Sequence, residues 1–467
     1  MYAKSHTHHT HRYSSKQTLL IPSQLNTLLQ TDKFVKYHFV SLGCDVVKLE
    51  SYRRFKHLLS IGGGGIIKEV VFDLTSFIRK ELTDSSSESS RKLKDFLTSN
   101  STILNSEDAL IFSDHHLALR NWLYIIFGYL ASSYREQEVD RFLDKIIDMY
   151  LDSRSMRGLR ARGASRIADS RDKQVLDLIK EYYENVAIRH DLLYPDSATR
   201  NTSITSDESI SSSASSLSIS SISTTSSSSS SSPGSSSCPY IMFHETHDEK
   251  VFLPPLPKIH DKELLVKALM HKEYYRMLLT STHPFAGKLT ELGFDLDHRN
   301  YTSLKYELSF LDGLGDLFLA HESSKLIYEL CRDGTMAVSN NTYHMLRTIL
   351  ATNTLLSKLT VAYNLHKGLD DAIIAYRLES DYLLNLHTGN LHPDMDANET
   401  RIYEEEFLGD YFESYMGALV IEQPDVAEAF IGDIYNRILL VITKVLPPDV
   451  SYRIWTTGIL GRNLHHK

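Results

Sequence analysis

The chain has 467 residues, 42% of them hydrophobic and 10% aromatic, and a formal net charge of -9. That length gives two or three domains ample core material, and the charge excludes coating of nucleic acid by bulk electrostatics, leaving only local basic patches for such contacts. No run of about 18 apolar residues and no basic-then-apolar leader occurs, which predicts a soluble globular protein with no membrane partner. Three scattered cysteines, Cys44, Cys238 and Cys331, point to a reducing compartment and away from a disulfide framework or thiolate metal site.

Before the first acid, Asp32, stand only Lys4, Arg12 and Lys16 among Ser, Thr and His, a composition that a mitochondrial presequence shares, without its amphipathic arginine face. His6, His8, His9 and His11 imply adventitious metal affinity at most. Gly62 to Gly65 precede a helical stretch but lack the Lys-Ser/Thr ending of a phosphate loop, so they read as a flexible turn. Helical spacing runs over 117–134 and 139–151, with a further helix expected over 173–190. RSMRGLRARGASR, with Arg157, Arg160 and Arg162 at its centre, is either a phosphate-contacting patch or a solvated basic loop.

A serine-dominated tract over 201–238 cannot bury a core and reads as a linker. It divides the chain into a flexible 1–30, a mostly helical 31–197, the linker 198–239, a second domain 240–450 and a tail 451–467. No internal repeat is legible. The second domain opens with LPPLPKI and a helix over 263–279, and helical spacing dominates it, so the expected fold class is all-α.

FLDGLGDLFL, residues 310–319, places Ser309, Asp312 and Asp316 on one stripe of a helix that is apolar over the rest of its circumference. Such a helix is either buried, so that a cation must join the two like charges, or lies on the surface with its aspartates solvated. Gly313 and Gly315 each cost about 1 kcal/mol in a helix interior and suggest close approach by another backbone or a partner chain. About a hundred residues on, EEEFLGDYFESYMGALVIE puts Asp410 and Glu413 on a face shared with Glu406 and Gly417. Two carboxylate pairs on two packed helices suit a hard divalent cation such as Mg²⁺, and hydrolysis of a phosphodiester is the natural chemistry.

LDGLGD and GDYFESYMGAL, together with KALMHKEYY at 267–275 and MLRTILATNTLLSKLTVAYNL at 345–365, resemble in order the four conserved segments of the ribonuclease III catalytic domain. The preceding helical region and PPLP segment are most similar to the fungal, yeast-type enzymes. This resemblance implies an endoribonuclease that cuts double-stranded or structured RNA as a homodimer with Mg²⁺ or Mn²⁺, leaving 5′-phosphate and 3′-hydroxyl ends. It assigns Asp312, Asp316, Asp410 and Glu413 as metal-binding catalytic carboxylates and Asn353 as their support. It further implies RNA processing in the nucleus, with the mitochondrion as the alternative.

The sequence departs from the family pattern at several points. Asp312 and Ser309 replace family glutamates, Gly313 stands where the family has an aromatic that packs into the partner subunit, and Glu406 replaces a yeast-type lysine. No double-stranded-RNA-binding domain is recognisable. The alternative these departures raise is a ribonuclease III fold retained as an RNA- or protein-binding scaffold, as in mitochondrial ribosomes. Two expectations follow: the four carboxylates share one cleft, and a homodimer depends partly on the N-terminal helices.

Overall fold

The computed structural model describes residues 18–20, 25, 28, 33–57, 67–82, 84, 87–99, 109–111, 116–133, 135–153, 177–178, 181, 185–195, 238–242, 250–272, 284–291, 293, 303–334, 339–370 and 397–445. The glycine run at 62–65, the arginines Arg157, Arg160 and Arg162, the serine tract up to 237 and both chain ends lie outside them.

The fold is all-α. The N-terminal region comprises α1 (Lys33–Arg54), α2 (Ile67–Lys80), α3 (Glu88–Ser99), α4 (His116–Ser132) and α5 (Glu136–Ser153), with a small antiparallel pair of β1 (Thr18–Leu20) and β2 (Ala109–Ile111). Its core gathers Phe39, Leu74, Phe77, Phe127, Phe142 and Ile146, all withdrawn from water. In the second region α7 (Lys262–Leu269), α8 (Pro284–Glu291), α9 (Ser303–Arg332), α10 (Asn340–Leu350), α11 (Asn353–Ala362), α12 (Ala397–Glu422) and α13 (Pro424–Val445) follow a hairpin of β4 (Tyr240–Met242) and β5 (Lys250–Phe252). Among the described residues no helix is long and apolar enough to cross a membrane.

The helix expected over 173–190 ends early. Ala187–Ile188 form β3, which pairs antiparallel with β6 (Leu369–Asp370), and the single turn α6 (His190–Leu193) follows. Helical bonding would leave the Leu369 and Asp370 backbone without this partner, and the β-branched Ile188 suits the extended form. The Tyr194 hydroxyl then meets that of Tyr415 at 2.7 Å, tying this segment to α12.

Local chemistry sets the ends that matter for the site. The Asp261 side chain caps α7 by accepting from the Leu264 amide at 3.1 Å, and the Glu422 carboxylate accepts from the His260 and Asp261 amides. The last residue of α12 thereby anchors the first turn of α7, and Pro424, preset for a first helical turn, starts α13 at once. The LPPLPKI strap lies across α11 and α12: the Tyr363 hydroxyl donates to the Pro254 carbonyl and the Tyr415 hydroxyl to that of Pro257.

The two acid-bearing helices, α9 and α12, form the centre of the second region, and their glycines explain why. A Cβ on Gly315 would overlap the Glu413 carbonyl, and one on Gly417 would overlap the Leu311 carbonyl. The backbones touch at this crossing, which only glycine permits. The close approach expected from Gly315 is therefore to α12. That expected from Gly313 is to the N-terminal region, because a Cβ there would lie 2.5 Å from the Tyr52 hydroxyl.

Candidate functional site

The crossing sets the carboxylates. Gly315 lets the Glu413 backbone settle onto α9, which brings Glu413 and Asp410, one turn apart on α12, opposite Asp312. Ligand oxygens of Asp312, Asp410 and Glu413 lie within 4.8 Å of one another, and the three residues are only 4%, 9% and 8% exposed. Asp316, one turn along α9, is the exposed member of the group. It lies outside the closest trio, yet its charge is felt by Glu413.

A cation does join the acids. The Lys272 ammonium sits 3.2 Å from Asp312 Oδ2 and 2.7 Å from Asp410 Oδ2, and His271 Nε2 lies 3.0 Å from the same Asp410 oxygen. Both follow directly on α7, within the KALMHKEYY segment, where a helix ending at Leu269 turns its next residues into the cleft. From α2, Lys68 reaches to 3.9 Å from Asp312 Oδ2. Of the two sequence readings, only the buried helix asked for a cation, and it named no residue; His271 and Lys272, adjacent just beyond α7, supply it.

The electrostatics divide the acids. Burial raises the Asp312 and Glu413 carboxyls above their ordinary values, with Asp410 adding to the first and Asp312 and Asp316 to the second. Asp316 is raised by the protein crowding it and then by Asp312. Asp410 goes the other way: burial pushes it up, but the hydrogen bond and charge of His271 and the charge of Lys272 outweigh that and lower it. Burial acts against the Lys272 ammonium, and the Asp312 and Asp410 charges overcome it and raise its pKa.

The donor set fits a hard divalent cation. Three carboxylates converge, and Asp312 Oδ1 is buried without a hydrogen-bond partner among the described residues, so an oxygen held away from water has a lone pair to spare. Asn353 begins α11 against this region: a Cβ on Gly409 would lie 3.4 Å from its Oδ1, which places the amide beside the peptide that carries Asp410. Glu406 points to solvent, so the repulsion expected from a glutamate at that position is relieved by water. Its neighbour Glu405 is the buried one, and it accepts from the Thr354 hydroxyl at 2.6 Å.

The glycine crossing of the two helices and their shared acid cleft lie within a segment that resembles a known family. Residues 309–424 match the family model of the Ribonuclease III domain. The match runs from Ser309 on α9 to Pro424 at the start of α13 and takes in all four predicted carboxylates and Asn353. The segment so matched holds the acid cleft, while His271 and Lys272 enter it from outside that segment. No curated protein and no solved structure matches the chain.

Lys272→Met is expected to lower the stability of the metal-free protein by roughly 2–3 kcal/mol, below the usual cost of breaking a fully buried pair because the lysine is a quarter exposed. Mg²⁺ should raise the melting temperature of this variant more than that of the wild type, since cation and ammonium contend for the same oxygens. Equal Mg²⁺ shifts in both proteins would show that they do not.

Proposed function

We propose that the chain is a divalent-metal-dependent endoribonuclease acting on double-stranded RNA. The observation that carries this is the convergence of Asp312, Asp410 and Glu413 within 4.8 Å around a buried, unpartnered Asp312 oxygen, inside a segment matched to the ribonuclease III domain. Asp312, Asp410 and Glu413 would hold the ion, Mg²⁺ or Mn²⁺, with Asp316 at the open side. An ion held by these residues would supply Lewis-acid activation of the phosphoryl group and of water near neutral pH.

The chain's own residues have separable tasks. His271 fixes the Asp410 carboxylate and keeps it ionised, Asn353 braces the α12 backbone at Gly409, and Lys272 neutralises the pocket before the metal enters. Hydrolysis adds the water oxygen to phosphorus and breaks the bond to the 3′ oxygen, giving 5′-phosphate and 3′-hydroxyl ends. Processing of a nuclear RNA belongs to the same proposal. A homodimer through the Gly313 face, where the resemblance puts it, would have to displace Tyr52 and Lys68 of the same chain.

Incubating the protein with a long RNA duplex and Mg²⁺ tests this, with Asp316→Asn alongside. Cleavage by the wild type alone is expected. No cleavage by either would overturn the reading and favour a scaffold that binds RNA or protein.

The raised carboxyls give the cleft a pH signature. Between the ordinary carboxylate range and the raised values of Asp312 and Glu413, the native state holds protons that the unfolded state has released. Without metal, stability is therefore greatest at the acid side of that window and declines as pH rises through the raised values; the lowered Asp410 contributes the opposite sign at lower pH. With Mg²⁺ the decline should disappear, because the ion takes the protons' place. Melting curves in chelator and in Mg²⁺ across the window check it.

A further inference from the structure

The N-terminal region repeats the crossing on which the acid cleft is built. A Cβ on Gly43 of α1 would overlap the Tyr124 carbonyl of α4, and one on Gly128 of α4 would overlap the Phe39 carbonyl of α1. These are the contacts of Gly315 with Glu413 and of Gly417 with Leu311, at the same spacing: each glycine lies four residues beyond the carbonyl that receives its partner, 39 to 43 and 124 to 128 as 311 to 315 and 413 to 417. Among the described residues each region has a long helix, then two shorter ones, then a helical pair, α1 to α5 corresponding in order to α9 to α13, with α7 and α8 preceding the second set. Two reciprocal glycine contacts at identical offsets are far more specific than a shared helix count.

Aligning the crossings puts Val40 at the place of Asp312, Cys44 at that of Asp316, Asn121 at that of Asp410 and Tyr124 at that of Glu413. The repeat keeps the crossing and carries no acid at these four positions. The two copies meet through their leading helices, which run antiparallel. Tyr52 stacks on Phe310 at 5.0 Å, Asp45 accepts from the Ser324 hydroxyl at 2.9 Å, and His38 stacks on Tyr328 at 4.2 Å. Arg347 closes the seam on Asp45 at 2.7 Å. Phe310 is the counterpart of His38 and Ser324 that of Tyr52, so each end of one helix faces the opposite end of its equivalent, as an approximate two-fold axis requires.

We propose that one chain forms a complete two-copy nuclease by itself, in which the N-terminal copy is a non-catalytic counterpart, and that as a monomer it cuts one strand of an RNA duplex. A second chain has no open Gly313 face to dock on, since Tyr52 fills it, and Lys68 from the copy without the acid cluster stands at the mouth of the acid cleft of the other. The two strands of a duplex are related by two-folds, so paired cuts need an acid cluster in each half. Here the second half offers an aliphatic, a thiol, an amide and a phenol. Water adds to one phosphorus, one bond to a 3′ oxygen breaks, the proton passes to that oxygen, and the other strand stays whole.

This inference rests on the endonuclease reading for its catalytic half only. The full-length protein is examined by sedimentation equilibrium and then given a fully paired RNA duplex with a different label on each strand and Mg²⁺. The expected mass is that of one 53.3 kDa chain. Expected products are shortened strands under denaturing conditions from duplexes that keep their full length on a native gel. A stable dimer, or staggered cuts that separate the duplex into two, would overturn the proposal while leaving the endonuclease reading intact. No cleavage of either strand overturns that reading and the single-strand cut together, and the mass alone then decides the two-copy architecture.

Discussion

Glu413→Gln should abolish duplex cleavage, lowering the rate by about 10²–10³-fold or more, the scale of losing one group that stabilises charge in the transition state. The same substitution should leave the metal-free protein as stable as the wild type or more so. Glu413 is 8% exposed, and burial, Asp312 and Asp316 all resist its ionisation, so a neutral amide of the same shape removes repulsion. Activity and stability thus move in opposite directions. A Glu413 that served only to hold the fold would lose both together. The comparison needs cleavage rates and denaturant midpoints in chelator for the two proteins.

The second large effect lies at the crossings. Gly315→Ala drives a methyl into the Glu413 carbonyl and Gly43→Ala drives one into the Tyr124 carbonyl; in each case the obstacle is backbone, which cannot swing aside. Each should cost about 3 kcal/mol, the upper part of the range for overpacking. Gly432→Ala on α13 meets nothing within 4 Å and should be neutral or stabilising by about 0.5–1 kcal/mol, as alanine is in an open helix. Urea midpoints of the three variants check the pattern. A tolerated Gly43→Ala would remove the basis for equating the two crossings.

Much of the site was legible because helix geometry is periodic. Asp312 and Asp316 on one stripe, and Asp410 with Glu413 on another, need only the 3.6-residue turn to be paired, and the glycines between them announced a backbone contact. The cation was legible as a necessity and not as a residue, because Lys272 and His271 act from a turn beyond α7 whose direction depends on the cap at Asp261 and its tie to Glu422. The strand at Ala187–Ile188 was missed since its partner, Leu369–Asp370, lies far along the chain.

The repeat was illegible for a different reason. What the copies share is a pair of glycines and the four-residue step to a carbonyl, a backbone relation that any side chains can satisfy. The acids that advertise the second copy are replaced in the first by Val40, Cys44, Asn121 and Tyr124. Gly313 shows the same limit from the other side. The resemblance made it the place of a lost contact with a partner chain, whereas Tyr52 of the same chain occupies the space, its hydroxyl 3.4 Å from the Ser309 carbonyl to which it donates.

Binding of Mn²⁺, followed by the loss of the free-ion electron paramagnetic resonance signal, tests most directly that the acid cleft is a metal centre. The account predicts saturable binding by the full-length protein, centred on the cleft and abolished by Asp410→Asn and by Glu413→Gln in proteins that remain folded. Saturable binding that survives both substitutions, or no binding by the wild type at neutral pH, would contradict it.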